Sequence, residues 1–502
     1  MDIFGNILMG FGVALSWQNL VFCFIGTLYG TLIGVLPGIG PVVGVAILIP
    51  ITFGLNPTTA IITMAGVYYG AMYGGSTTSI LINVPGESAS VVTCLDGYEM
   101  AKKGRAAPAL GMAALASFIA GTLAIILLTF IAPPLANVAL SFGPPEYFAL
   151  AFMGLTLVTS LAGESMVKGL MSGVFGLIIA CVGVDAVSGE ERFTFGSIFL
   201  LDGFGFIGVA VGLFAVSEVL MNLEQTMEQV FVKANFSLRS LFPNKQDWKD
   251  SLAPIFRSSF MAFFLGNLPG AGATIASFMA YAMEKKFSKH PEKFGTGIME
   301  GVAAPEAANN AAAGGSMVPL LALGIPSSGT SAVLLGALMV HGLKPGPLLF
   351  TTSPEFVWGL IASMYIANLL LLVLNLPLVG LWASLLRIPY RILMPIIVTI
   401  SAVGVYATEN NIFDMWVMFG FGIIGYLMRK LKFPPAPVVL ALVLGPLVER
   451  TLRQSLTMSH GDVTIFFTRP ISAVLVSIAL ISLFAPLLRG VMDWRKKVVE
   501  IS

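Results

Sequence analysis

The chain has 502 residues, 56% of them hydrophobic and only 11% charged, with mean hydropathy +0.89. A soluble globular protein carries about 25% charged residues, so water is excluded as the main solvent. The net charge of +1 argues against a nucleic-acid partner.

The apolar segments fall near 18–36, 41–54, 57–73, 109–133, 146–163, 166–186 and 204–223, then 256–283, 298–324, 329–343, 354–381, 392–407, 411–428, 434–448 and 470–488. Many approach the roughly 20 residues that span hydrocarbon, and several are too short or too broken for simple spans. The pattern predicts an all-α polytopic membrane protein of about 10–13 transmembrane or re-entrant helices, some of them discontinuous.

Before Lys102 the only charged residues are Asp2, Glu87, Asp96 and Glu99. A secretory signal peptide would open with basic residues, so the N-terminus is expected outside. Basic residues gather at 102–105, within 224–257, at 285–293, at Arg387 and Arg391, at 429–432 and at 495–497. The positive-inside rule assigns these loops to the cytoplasm. Arg450, Arg453 and Arg469 fit that path poorly, which leaves 434–470 the weakest part of the topology. Residues 1–223 are expected to form a first membrane repeat, 224–257 a cytoplasmic linker, and 258–502 a second repeat with added C-terminal helices.

The halves share ordered motifs. Gly34-Val35-Leu36-Pro37-Gly38-Ile39-Gly40 matches Gly266-Asn267-Leu268-Pro269-Gly270-Ala271-Gly272. Gly74-Gly75-Ser76 followed by Pro85 matches Gly314-Gly315-Ser316 followed by Pro326. The basic loop lies after the second motif in one half and between the motifs in the other, as inverted-topology repeats would place it.

Gly and Pro interrupt apolar segments at all these motifs. Broken backbone at membrane depth survives when it is buried in protein or lines a wet cavity. There, helix N-termini offer partial positive charge to an anion and freed carbonyls offer ligands to a cation. Plain turns or kinks are the alternative, and the repetition favours the functional reading. Candidate anion-binding groups are the amides of Gly38, Gly40, Gly270 and Gly272. To these are added the polar groups of Ser76, Thr77, Thr78, Asn83, Ser316, Ser327, Ser328 and Thr330. Small hydroxyl residues also cap helices and pack them closely.

Helical spacing puts Glu306, Asn309 and Asn310 on one face, a candidate site for a coupling Na⁺ or H⁺. Pro305 ahead of Glu306 also suits a helix start. Glu87, Asp185, Glu218 and Lys168 are expected at the membrane interface. Tyr68, Tyr69 and Tyr73 either line a pathway or pack. With no Lys or Arg inside the motifs, neutral donors and helix dipoles would hold a carboxylate.

The scattered Cys23, Cys94 and Cys181 suggest neither a disulfide framework nor a metal site. A nucleotide-binding G-x-x-x-x-G-K-[ST] run and an H-E-x-x-H motif are both absent from the sequence. The first absence disfavours ATP-driven transport and the second a metal-dependent hydrolase; an ion channel and an intramembrane hydrolase are the alternatives weighed against a carrier.

At these stretches the sequence resembles the large membrane subunit of the tripartite tricarboxylate transporters, the TctA family. The resemblance is carried by 34–41, 69–80, 83–87, 96–98 with 104–106, Pro305-Glu306-Ala307-Ala308-Asn309-Asn310, 314–316 and 324–326, and it covers nearly the whole chain. It implies the translocation subunit of a bacterial inner-membrane system that takes up citrate-like di- or tricarboxylates on an ion gradient. It also implies a small membrane subunit and a periplasmic solute-binding protein as partners, and no cofactor beyond the coupling ion.

Overall fold

The computed structural model describes residues 2–36, 39–161, 165–185, 188–224, 237–268, 272–385, 390–409 and 411–484. The first half runs α1 (Ile3–Ala14), α2 (Trp17–Val35), α3 (Gly40–Thr52), α4 (Pro57–Ile82), α5 (Val91–Lys102), α6 (Ala106–Ala139), α7 (Pro144–Leu161), α8 (Met166–Ala180) and α9 (Phe206–Leu223). The second runs α10 (Lys245–Gly266), α11 (Gly272–Phe287), α12 (Glu300–Leu323), α13 (Gly329–Val340), α14 (Pro354–Asn375), α15 (Tyr390–Glu409), α16 (Ile412–Lys430), α17 (Ala436–Met458) and α18 (Pro470–Phe484). A hairpin of β1 (Gly183–Val184) with β2 (Glu191–Arg192) links α8 toward α9. Among the described residues, α2, α6, α9, α14 and α16 are long and apolar enough to cross a bilayer.

The order α2–α6 recurs as α10–α14. In each copy the first and third helices pack side by side, α2 on α4 and α10 on α12. The approach is close because a glycine stands where any side chain would collide. A Cβ at Gly34 would strike the Ala71 carbonyl oxygen, and one at Gly266 the Ala312 carbonyl oxygen. In lipid, apolar burial between helices gains little, so such close backbone packing carries association. The last helix of each copy crosses over, α6 onto α12 and α14 onto α4, which ties the halves together.

The copies run in opposite senses. At one end, Arg105 after α5 pairs with Asp247 of α10 at 2.7 Å. At the same end Lys103 donates to the Thr296 carbonyl. Asp96 of α5 accepts the N–H groups of Gly295 (3.0 Å), Gly297 (2.7 Å) and Ile298 (3.0 Å) from the loop after α11. At the other end, Thr52 closing α3 lies 3.5 Å from His341 closing α13. So α3 and its counterpart α11 finish at opposite ends, as do α5 and α13. Inverted topology is thus written in the contacts.

The remaining helices form a second layer, with α8 on α17 and α9 on α16. The path left weak by the sequence resolves here. α17 runs unbroken to Met458, past the expected limit of 448, alongside α13 and away from the basic end. There Arg453 pairs with Asp185 at 2.8 Å, Arg192 with Glu449 at 2.8 Å, and Arg469 with Glu146 at 2.6 Å. Neighbouring carboxylates therefore offset two of the misfitting cations, Arg453 and Arg469. Residues 245–257, expected in the linker, instead form the first turns of α10. Asn244 and Asp247 start that helix as a reciprocal cap (2.8 and 3.1 Å).

Candidate functional site

Each interruption is set by local backbone chemistry. α2 ends at Val35, and the chain restarts at Gly40 with φ +67°; α11 restarts at Gly272 with φ +56°. Both values lie in the left-handed region that glycine enters without a Cβ penalty. α4 ends on Asn83 at φ 56°, and α12 ends on Gly324 at φ 71°, the equivalent position. Pro85 and Pro326 follow, where the helix cannot continue.

The caps beyond these prolines also correspond. Glu87 accepts the Ala89 N–H at 2.7 Å, and the Ser90 hydroxyl donates to the Glu87 carbonyl at 2.9 Å. Ser328 accepts the Ser331 N–H at 3.2 Å, and Ser331 accepts the Ser328 N–H at 2.8 Å. Within each half the two interruptions meet. A Cβ at Gly40 would lie 3.9 Å from that of Glu87, and one at Gly272 would lie 3.8 Å from that of Ser328. Between halves, the Ser88 and Thr274 hydroxyls are 2.9 Å apart.

These helix starts surround one cavity of about 620 Å³, within the roughly 300–1,000 Å³ of small-molecule sites. Its wall includes Gly40, Glu87, Ser88, Gly272, Thr274, Ser328 and Thr330. Tyr68 and Met72 of α4, Phe214 and Glu218 of α9, Arg429 of α16 and Ala436 of α17 complete it. First-turn amides have no carbonyl within their own helix and carry the positive end of its dipole. Among the described residues, no side chain caps α3 at Ile39. The cavity can therefore receive an anion on main-chain groups, hydroxyls and one guanidinium.

Of the expected residues, Gly40, Gly272, Ser328 and Thr330 lie on this wall. Gly38 and Gly270 fall outside the described residues. Ser76, Thr77, Thr78 and Ser316 do not line it, because they sit mid-helix and are buried among helices. Ser76 donates to the Tyr73 carbonyl (2.8 Å), Thr78 to that of Gly75 (3.0 Å) and Ser316 to that of Ala313 (2.7 Å). Ser327 is buried beside the wall, its N–H on Ser331 at 3.0 Å. Asn83 is exposed and off the wall; its left-handed backbone, tolerated by Asn as by Gly, explains its place. Tyr68 reaches the cavity, whereas Tyr73 donates to Asn368 at 2.6 Å and Tyr69 is buried.

Three charged residues on the wall depart from the sequence reading. Glu87 and Glu218 were expected at the interface. Glu87 instead is only 6% exposed, and its Oε1 has no partner among the described residues. Arg429 belonged to a supposed loop cluster; it pairs with Glu218 inside the cavity. The signal for Glu87 was available, since it occupies the place of Ser328 in the repeat.

Glu306, Asn309 and Asn310 share a helix face as expected, but away from this wall, each 0% exposed. Thr93 of the other half donates to Glu306 at 2.5 Å, and Asn309 does so at 3.4 Å. Asn310 donates to the Asn309 oxygen at 2.6 Å, and its own Oδ1 has no partner among the described residues. Carboxylate, amide and hydroxyl oxygens of this kind suit a hard cation.

Comparison with known proteins gives three findings. The profile of the "Tripartite tricarboxylate transporter TctA family" matches residues 20–440. An Agrobacterium vitis protein named "Uncharacterized 52.8 kDa protein in TAR-I ttuC' 3'region" is 49% identical over 499 residues, covering 99% of each chain. A second from that organism, "Uncharacterized protein in TAR-II ttuC' 3'region", is 48% identical over 234 residues, 47% of this chain and 97% of its own. No solved structure matches.

Proposed function

Since the chain belongs to the tripartite tricarboxylate transporter TctA family, we propose that it is the translocation subunit of a secondary importer for a small, citrate-like di- or tricarboxylate. One observation supports this most: helix starts from both inverted halves, with Arg429, face a single cavity. On this reading, main-chain amides near Gly40 and Gly272 and the hydroxyls of Ser88, Thr274, Ser328 and Thr330 hold substrate carboxylates. Neutral donors at helix ends bind an anion firmly enough to select it and loosely enough to release it.

The coupling ion, Na⁺ or H⁺, goes to Glu306 with Thr93, Asn309 and Asn310. A carboxyl group at 0% exposure among neutral partners needs a proton or a metal cation to stay in place. Binding there removes negative charge from the core that the anion must approach, which links the two solutes. Membership of the family supports a three-part assembly. A small membrane subunit is the proposed companion, a periplasmic binding protein the proposed donor of substrate, and the bacterial inner membrane the proposed location.

The test is uptake of labelled citrate and succinate into proteoliposomes holding this chain with its small subunit and binding protein. Saturable uptake that accelerates under an imposed Na⁺ or proton gradient is expected. Non-saturating flux indifferent to both gradients would replace the carrier by a channel.

A further inference from the structure

Arg429 is the one Lys, Arg or His on the cavity wall among the described residues, and no sequence motif pointed to it. Its side chain is 27% exposed and ion-paired with Glu218, which is 13% exposed. Glu218 is held from its other oxygen by Asn222 at 3.3 Å. The Arg429 Nε–H is buried without a partner among the described residues, so the guanidinium has an unused donor beside the cavity. An Arg with five donors in a planar fork suits a carboxylate better than any other side chain does.

The backbone delivering Glu218 is itself unusual. α9 contains a π-helical turn, Gly212–Val216, and Phe214 within it also lines the cavity. The inserted residue turns everything after it by about 100° around the helix axis, and single π turns of this kind recur at functional sites. Glu218 follows directly, aimed at Arg429.

We infer that Arg429 and Glu218 form a displaceable clamp, in which a substrate carboxylate takes the place of Glu218 on the guanidinium. In the empty cavity Glu218 keeps Arg429 from standing as an unpaired charge, which would cost far more than a paired one. A substrate carboxylate brings the same charge and geometry, so Arg429 stays paired, while the displaced Glu218 is left on Asn222 and takes up a proton or turns toward the water of the cavity. Helix starts at Gly40, Gly272 and Ser328 take a second carboxylate of the same molecule. The clamp therefore selects molecules with two or more carboxylates over those with one. This rests on the transport reading above and names the residue that sets its substrate class.

The full chain in nanodiscs, titrated with acetate, succinate and citrate, tests it. For whichever of succinate and citrate the wild type binds more tightly, R429Q should weaken binding about tenfold or more, R429K should recover part of the loss, and acetate should be little affected. E218Q should tighten binding a few-fold, because the internal competitor is gone. It also serves where R429Q fails to fold. Wild-type affinity in R429Q, or equal losses in R429Q and E218Q, would overturn the clamp and mark a purely structural ion pair. Should the wild type bind none of the three probes, the transport reading itself falls and the clamp with it.

Discussion

Ser76 in the middle of α4 and Ser328 at the start of α13 carry the same hydroxyl, yet the two regions treat it differently. Mid-helix, the nearest acceptor is the helix's own carbonyl, and Ser76 turns back onto Tyr73 at 2.8 Å. Ser316 does the same onto Ala313 at 2.7 Å. At a helix start the backbone N–H groups have no such partners, and a preceding chain reversal points them outward. Ser328 therefore stands on the cavity wall with Gly329 and Thr330. Richness in small polar residues does not by itself make a site. The interruption puts hydroxyls on the cavity wall, whereas Ser76 and Ser316 in the unbroken stretches bond back onto their own helices.

The sharpest way to break that contrast is to fill an interruption. Gly272→Leu forces a branched side chain onto φ +56° and into the cavity. Uptake should fall at least about a hundredfold, by analogy with losses from small misplacements of bound groups. Membrane insertion, followed by protease accessibility of the loops, should be unchanged. Wild-type uptake in that variant would deny the interruption any role.

A smaller effect is expected from Glu306→Gln, which keeps shape and removes the charge. Transport should drop about tenfold and lose its acceleration by a Na⁺ or proton gradient, because a neutral amide neither binds a proton nor balances a cation. If gradient dependence survives intact, the coupling ion sits elsewhere.

The smallest effect separates the two hydroxyl populations directly. Thr330→Ala should raise the KM for uptake a few-fold, as expected for one neutral hydrogen bond worth about 1 kcal/mol. Ser76→Ala should leave KM unchanged, since its hydroxyl is already engaged within α4. Equal shifts in both would show that unbroken and broken stretches contribute alike.

Much of this was legible in the residues. Gly40 and Gly272 announce their breaks because only glycine is at ease with those backbone angles. Glu306, Asn309 and Asn310 announce a common face through helical spacing alone. Asn83, expected among the ligands, lies off the cavity wall; it stands where the other half has Gly324, and both end a helix in the same left-handed turn. Glu87 was underrated for want of the same alignment. It fills the capping position of Ser328. Arg429 and Glu218 carried no usable signal. Each looks like an ordinary charge at a helix end, and nothing in its neighbours' sequence says that α16 and α9 close a wall against the inverted repeats.

The amino-acid sequence alone determined that the chain is a bundle of membrane helices, that it is built twice over, and where those helices break. These are local matters, settled by hydropathy, by glycine's freedom and by proline's missing N–H. The tertiary structure decided which broken ends face one another, which hydroxyls stand on the cavity wall, and that α9 and α16 bring Glu218 and Arg429 to the same cavity. Those outcomes depend on packing between segments far apart in the chain, where a glycine contact or a single π turn sets which side chain points inward.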